Sequence, residues 1–250
     1  MPSTLPTHPL AVLPLKLWRP RWFDGVALAT GACAPDMAYA FDGIGLRIHS
    51  HTVLALFWWS VPAAVATAWV IRLGAPAVAA HVPRWLPGWL REYGVLGRVR
   101  HRWYVTACSA LLGAVSHLLW DLVTHPGPVE AWWSIRRASD CAALLLLPLF
   151  MAYAGLRHKI REWHGEAPQV PRRMARFWGV AVAAGAAALA LVWALGEHRL
   201  EWFGYPDRVH VLGVRLLSGV AVALLAGALA VQSRSVDADR ATAAAGLPPR

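Results

Sequence analysis

Residues 104–124, YVTACSALLGAVSHLLWDLVT, decide the fold. At 1.5 Å per residue this stretch makes a helix about 31 Å long, enough to cross the ~30 Å hydrocarbon core of a bilayer. It carries a single acid and no Lys or Arg. Four further runs, 52–73, 138–156, 177–196 and 209–231, have similar length and apolarity. With 57% hydrophobic and only 15% charged residues, the 250-residue chain is too apolar for a soluble domain. The sequence therefore predicts an all-α, polytopic transmembrane helix bundle of five full spans. A sixth segment, 25–41, is short and interrupted by Pro35, and either spans or re-enters. Residues 1–231 are expected to form a single integral membrane domain, and the Ala-rich stretch 232–250, closing on Pro248 and Pro249, a disordered tail.

The formal charge of +10 would suit a nucleic-acid binder if it formed one patch. It does not: the basic residues fall in alternate connections between the spans. On a six-segment topology one side holds 18 of the 24 Lys and Arg and the other holds 5, with Arg215 inside the last span. That asymmetry is a topology signal, so the bilayer rather than nucleic acid is the expected partner, and both termini are expected to be cytoplasmic. Trp22, Trp103, Trp132, Trp133, Trp178 and Trp202 fall at span ends, where an amphipathic ring prefers the headgroup level. Arg far outnumbers Lys and Asn is absent, a bias that fits high-GC bacterial coding and hence a bacterial plasma membrane. Cys33, Cys108 and Cys141 are isolated in apolar runs without CxxC spacing and are read as small hydrophobes.

The chemistry lies where charge enters the spans. An ionisable side chain at membrane depth costs about 2.5 kcal/mol or more unless it is paired or functional. His117, Asp121 and His125 are spaced by four on the second long span and form one stripe along a helix. A His with an Asp at i+4 can ligate one metal ion, as the paired His of HExxH does, or can be a simple polar pair against a neighbouring helix. With that span running outward, the stripe occupies its outer third. Asp36 lies near the outer end of the first segment, and His49-Ser50-His51-Thr52 opens the next span at the same surface. Three segments thus bring His and Asp to one depth. Arg215, a couple of turns inside the last span, is expected to snorkel, and Ser139-Asp140 to cap the third long span.

Taken in order, Thr4-Leu-Pro-Thr-His8-Pro, Ala34-Pro35-Asp36, His49-Ser-His51-Thr52 and Gly113-x-x-Ser116-His117-x-x-x-Asp121-x-x-Thr124 resemble a bacterial family of uncharacterised polytopic membrane proteins. That family is itself similar to inner-membrane proteins described as metal-dependent hydrolases, which share an early His, a Pro-Asp motif, a His-rich element and an SHxxxD helix. The resemblance adds His8 to the candidate set, although on the six-segment topology His8 starts on the far side of the membrane from the others. It also implies a second acid after the Pro-Asp, where Met37 and Ala38 stand here.

Two readings follow. In the first, Asp36, His51, His117, Asp121 and His8 hold one or two divalent ions, with His125 and His49 as catalytic or supporting groups. Mixed His and carboxylate ligands suit Zn, Mn or Fe. The substrate would be a lipid, a lipid-linked compound or another envelope component. In the second, the chain is no enzyme, and the cluster is a proton or metal-ion path in a transporter or a polar lock between helices.

Overall fold

The computed structural model describes residues 7–41, 48–124, 129–196 and 209–244. It is 81% helix, and no strand occurs among the described residues. Among the described residues eight α-helices follow in order: α1 (Thr7–Trp18), α2 (Gly25–Met37), α3 (Val61–Ala80), α4 (Trp103–Thr124), α5 (Val129–Leu156), α6 (Lys159–His164), α7 (Met174–Gly196) and α8 (Val209–Ala244). A 3-10 turn, Ala38–Phe41, extends α2, and a π turn, Leu56–Ser60, leads into α3. A longer 3-10 stretch, Gly88–Gly97, covers the chain between α3 and α4.

Among the described residues four helical stretches, Leu56–Ala80, Trp103–Thr124, Met174–Ala194 and Val211–Gln232, are long and apolar enough to cross a membrane, and the apolar part of α5, Cys141–Leu156, is shorter. Large apolar side chains such as Trp69, Leu145, Val182, Leu191 and Val220 point outward. In water that surface would be unstable. Against acyl chains it costs nothing, and helix association then rests on close van der Waals packing and interhelical hydrogen bonds. The buried positions match that demand, because they are mostly small. Ala27, Ala34, Ala64 and Ala110 form one cluster among α2, α3 and α4, and Ala77, Phe177, Ala181, Ala228 and Val231 another among α3, α7 and α8.

Glycine sets the closest approach. A Cβ on Gly31 would lie 2.1 Å from the Ala110 carbonyl oxygen, and one on Gly113 would lie 2.3 Å from that of Leu28. Only hydrogen fits at either place, so the backbones of α2 and α4 touch. Thr30 ties the same helix to α3, its hydroxyl donating to the Ala64 carbonyl at 3.0 Å.

At one end of the bundle Asp24 caps α2, its carboxylate accepting from the Ala27 N–H at 3.2 Å. The same carboxylate accepts from Thr106 at 2.8 Å and pairs with Arg72 at 2.5 Å, although Asp24 is almost wholly buried. Burial would raise the Asp24 carboxyl, but the Arg72 guanidinium, the Thr106 hydroxyl and the Ala27 N–H outweigh it and hold Asp24 below the usual carboxylate range. Lys16 of α1 lies here too, buried, and donates to the carbonyls of Pro20 and Phe23.

This arrangement changes the reading of the N-terminal region. Segment 25–41 is one continuous helical stretch: α2 runs from the Asp24 end to the opposite end and continues helically through Pro35. Helix α1, too short to span at 12 residues, packs antiparallel to it, with Lys16 beside Gly25 and His8 beside Asp36. Gln232 of α8 donates to the Leu73 carbonyl, next to Arg72, so it lies at the Asp24 end. Residues 8 and 232 thus sit at opposite ends of the bundle. A reporter placed after Arg234 is expected to read as cytoplasmic, whereas one near Glu130 and one fused ahead of Thr7 should both read as extracytoplasmic. A cytoplasmic signal from the Thr7 fusion would mean that α1 does not pack against α2 as described.

Two smaller expectations also change. Ser139 lies within α5 rather than capping it, and its hydroxyl accepts from the Trp120 indole N–H at 3.3 Å. Arg215 does not snorkel: it is 5% exposed, and its Nε donates to the Ala40 carbonyl at 3.2 Å.

Candidate metal centre

Five ionisable side chains from four segments meet at the end of the bundle opposite Asp24. Helix α1 brings His8, α2 brings Asp36, the irregular stretch ahead of the π turn brings His51, and α4 brings His117 and Asp121. His117 is central. Its Nε2 lies 3.5 Å from Asp36 Oδ1, 3.4 Å from Asp121 Oδ2 and 3.2 Å from His51 Nε2. His51 Nε2 in turn lies 3.2 Å from Asp36 Oδ1 and 3.6 Å from Asp121 Oδ2, and His8 Nε2 lies 3.7 Å from Asp121 Oδ1. The His8 and His117 rings stack, with centroids 3.6 Å apart and planes 22° apart.

The touching backbones of α2 and α4 explain how His117 is aimed. Because Gly31 and Gly113 admit no side chain, the imidazole of His117 reaches the Ala32 carbonyl, and its Nδ1–H donates there at 2.7 Å. A carbonyl can only accept, so Nδ1 carries the proton and Nε2 is left facing the cluster, as in metal sites where a backbone carbonyl fixes the tautomer of a ligating His. His51 is held similarly. Its Nδ1 hydrogen-bonds Ser50 Oγ at 3.0 Å, and Tyr39 lies against its ring at 5.6 Å.

His8 gives the second pointer. It is fully buried, and neither ring nitrogen has a hydrogen-bond partner among the described residues. A buried polar nitrogen left so costs about 1–3 kcal/mol, which a bound cation would remove. The spacing of the cluster agrees. Ligand atoms bonded at about 2.0–2.1 Å to a tetrahedral ion stand roughly 3.3 Å apart, and the contacts around His117 Nε2 run from 3.2 to 3.5 Å. Two sets, His8 with Asp36 and His117, and His51 with His117 and Asp121, each have ligand atoms within 4.8 Å of one another and could hold a metal ion.

The cluster is graded in exposure. The side chains of His8 and His117 are 0% exposed and that of Asp36 11%, while those of Asp121 and His51 reach 25% and 30%. The closed side therefore carries His8, Asp36 and His117, and the open side His51 and Asp121.

Of the other candidates, His49 is exposed and makes none of the contacts in the cluster. His125 lies outside the described residues. The position after Asp36 where a second acid was expected holds Met37, whose sulfur accepts from the Thr67 hydroxyl at 3.6 Å and so faces α3. Three supporting groups were not read from the sequence: the Ala32 carbonyl, Ser50 and Tyr39. A carbonyl leaves no mark on a sequence, whereas Ser50, set between two His, was visible without its role being legible.

These features define a helical membrane protein with a His/Asp cluster that could hold a metal ion. The chain belongs to the family described as domain of unknown function DUF4184, which matches residues 1–229. Comparison with curated proteins and with solved structures found no match.

Proposed function

We propose that the protein is a membrane-embedded, metal-dependent hydrolase whose site lies near the extracytoplasmic face of a bacterial plasma membrane. The observation that carries this reading is His8: a fully buried imidazole without a hydrogen-bond partner among the described residues, stacked on a second imidazole whose tautomer is fixed toward the same point. A polar lock between helices would satisfy its own donors and acceptors. Here the ligand atoms of two sets lie within 4.8 Å of one another.

In this reading His8, Asp36 and His117 hold a Zn, Mn or Fe ion from the closed side, and Asp121 completes the set. Once bound, such an ion lowers the pKa of water toward neutrality and polarises a phosphoryl or carbonyl oxygen. His51, the most exposed member, is placed to accept the proton of the attacking water, with Ser50 and Tyr39 fixing its ring. The Ala32 carbonyl keeps His117 in the tautomer that leaves Nε2 for the ion.

Elemental analysis of protein purified in metal-replete buffer is expected to give one or two Zn, Mn or Fe per chain. His51→Gln should keep at least half of that metal while kcat for a water-soluble phosphoester or carboxylester falls about 100-fold, the lower end of what a general base contributes. A parent protein with no metal would sink the reading and leave His117 between Asp36 and Asp121 as the arrangement of a proton path.

A further inference from the structure

The open side of the cluster does not face water alone. His51 and Asp121 form the rim of a groove of about 510 Å³ whose other walls are Val53, Leu56, Val115, Leu118, Leu119 and Leu122. Its size is that of a small-molecule site, ~300–1,000 Å³. The four α4 residues fall at i, i+3, i+4 and i+7, so they form one continuous apolar stripe beside the His117–Asp121 stripe. Leu119 and Leu122 are exposed on the outside of the bundle, as is Val53, so the groove opens sideways into the bilayer.

Its direction is informative. Asp121 and His51 stand at the outer end, whereas Val115 lies six residues back along α4, about 9 Å nearer the membrane midplane. A lipid of the outer leaflet already lies this way, with its head at the surface and its tails toward the midplane. The groove offers nothing polar along its length and two metal-ligand candidates at its head. A soluble substrate has no use for the apolar part.

From this geometry we infer that the groove seats an acyl chain of an outer-leaflet glycerolipid, entering sideways from the bilayer, with its ester-linked head group presented to His51 and Asp121. The inference deepens the hydrolase reading by naming its substrate class, and it rests on that reading only for what happens to the head. Hydrolysis there would add water across the ester bond at the head. The hydroxyl goes to the phosphorus or acyl carbon, and the proton accepted by His51 passes to the departing alcohol oxygen. Two carboxylates, Asp36 and Asp121, would repel a phosphate head unless a cation lies between them, so seating of a phospholipid should depend on metal.

The test uses the full chain in vesicles of phosphatidylethanolamine and phosphatidylglycerol containing a trace of phosphatidylethanolamine with a diazirine in its acyl chain. After illumination, peptide mapping is expected to place at least fivefold more label on the groove segments 53–56 and 115–122 than on the equally lipid-facing Val182 and Val220. Val115→Trp, which fills the deep end, should cut groove labelling at least fivefold and leave Val182 and Val220 unchanged. Leu119→Trp, at a position already exposed, should reduce it in the same sense without disturbing packing. Loading with Zn²⁺ or Mn²⁺ should raise groove labelling at least threefold over EDTA-treated protein. Labelling spread evenly over the lipid-facing helices, or unchanged in both variants, overturns the lipid seat whatever the activity. Groove labelling that is strong but indifferent to metal leaves the seat standing and overturns the metal reading of the cluster.

Discussion

His117→Ala is expected to leave less than a tenth of the parent's metal and to lower the melting temperature as well. Three interactions disappear with the ring: the Nε2 position shared with Asp36, Asp121 and His51, the hydrogen bond to the Ala32 carbonyl, and the stacked face of His8. A cavity opens between α2 and α4, and a buried carbonyl loses its donor, together worth about 3 kcal/mol. Asp121→Asn separates the two effects. It keeps the shape and removes the charge a cation needs, so metal content should fall while the melting temperature stays within a degree or two of the parent. Full metal content in Asp121→Asn would rule out the proposed ligand set.

Gly31→Val should be as damaging from a position that touches no ligand. Its first added carbon alone would lie 2.1 Å from the Ala110 carbonyl oxygen, and that atom is backbone, which cannot turn aside. The helices must separate, at a cost of about 3 kcal/mol or more, the upper range for overpacking. Separation also pulls the Ala32 carbonyl from His117. Loss of metal binding and a lowered melting temperature are therefore expected together, measured by elemental analysis and thermal unfolding in detergent. A Gly31→Val protein that melts and binds metal like the parent would show that α2 and α4 do not meet at this point.

Much of this was legible because the membrane makes polar residues conspicuous. Asp36, His51, His117 and Asp121 stood out as ionisable groups at one depth, and the structure brings all four together with His8. Helix α1 was harder to place, since 12 residues fall below the length that hydropathy detects, and it is held by packing against α2 rather than by spanning. His49 and His51 could not be told apart, because two positions in irregular backbone carry no periodicity; only the bond between Ser50 and His51 shows which one turns inward. The Asp24–Arg72 pair escaped notice for a related reason: 48 residues separate its members, and nothing local marks them as partners.

The short, polar-tailed α1 also has a temporal side. During synthesis His8 and Lys16 leave the ribosome long before α4, and at ~5–20 residues per second about ten seconds separate His8 from Asp121. Until then α1 has neither the length to hold itself across lipid nor the ring that stacks on its imidazole. It must wait at the headgroup layer or in the insertion machinery. The arrival of α4 supplies Thr106 and Ser109 for the residues around Asp24 and, eleven residues beyond Thr106, His117 for His8. One helix therefore contacts both ends of the α1–α2 hairpin, and every residue of the cluster precedes α7 and α8 in the chain.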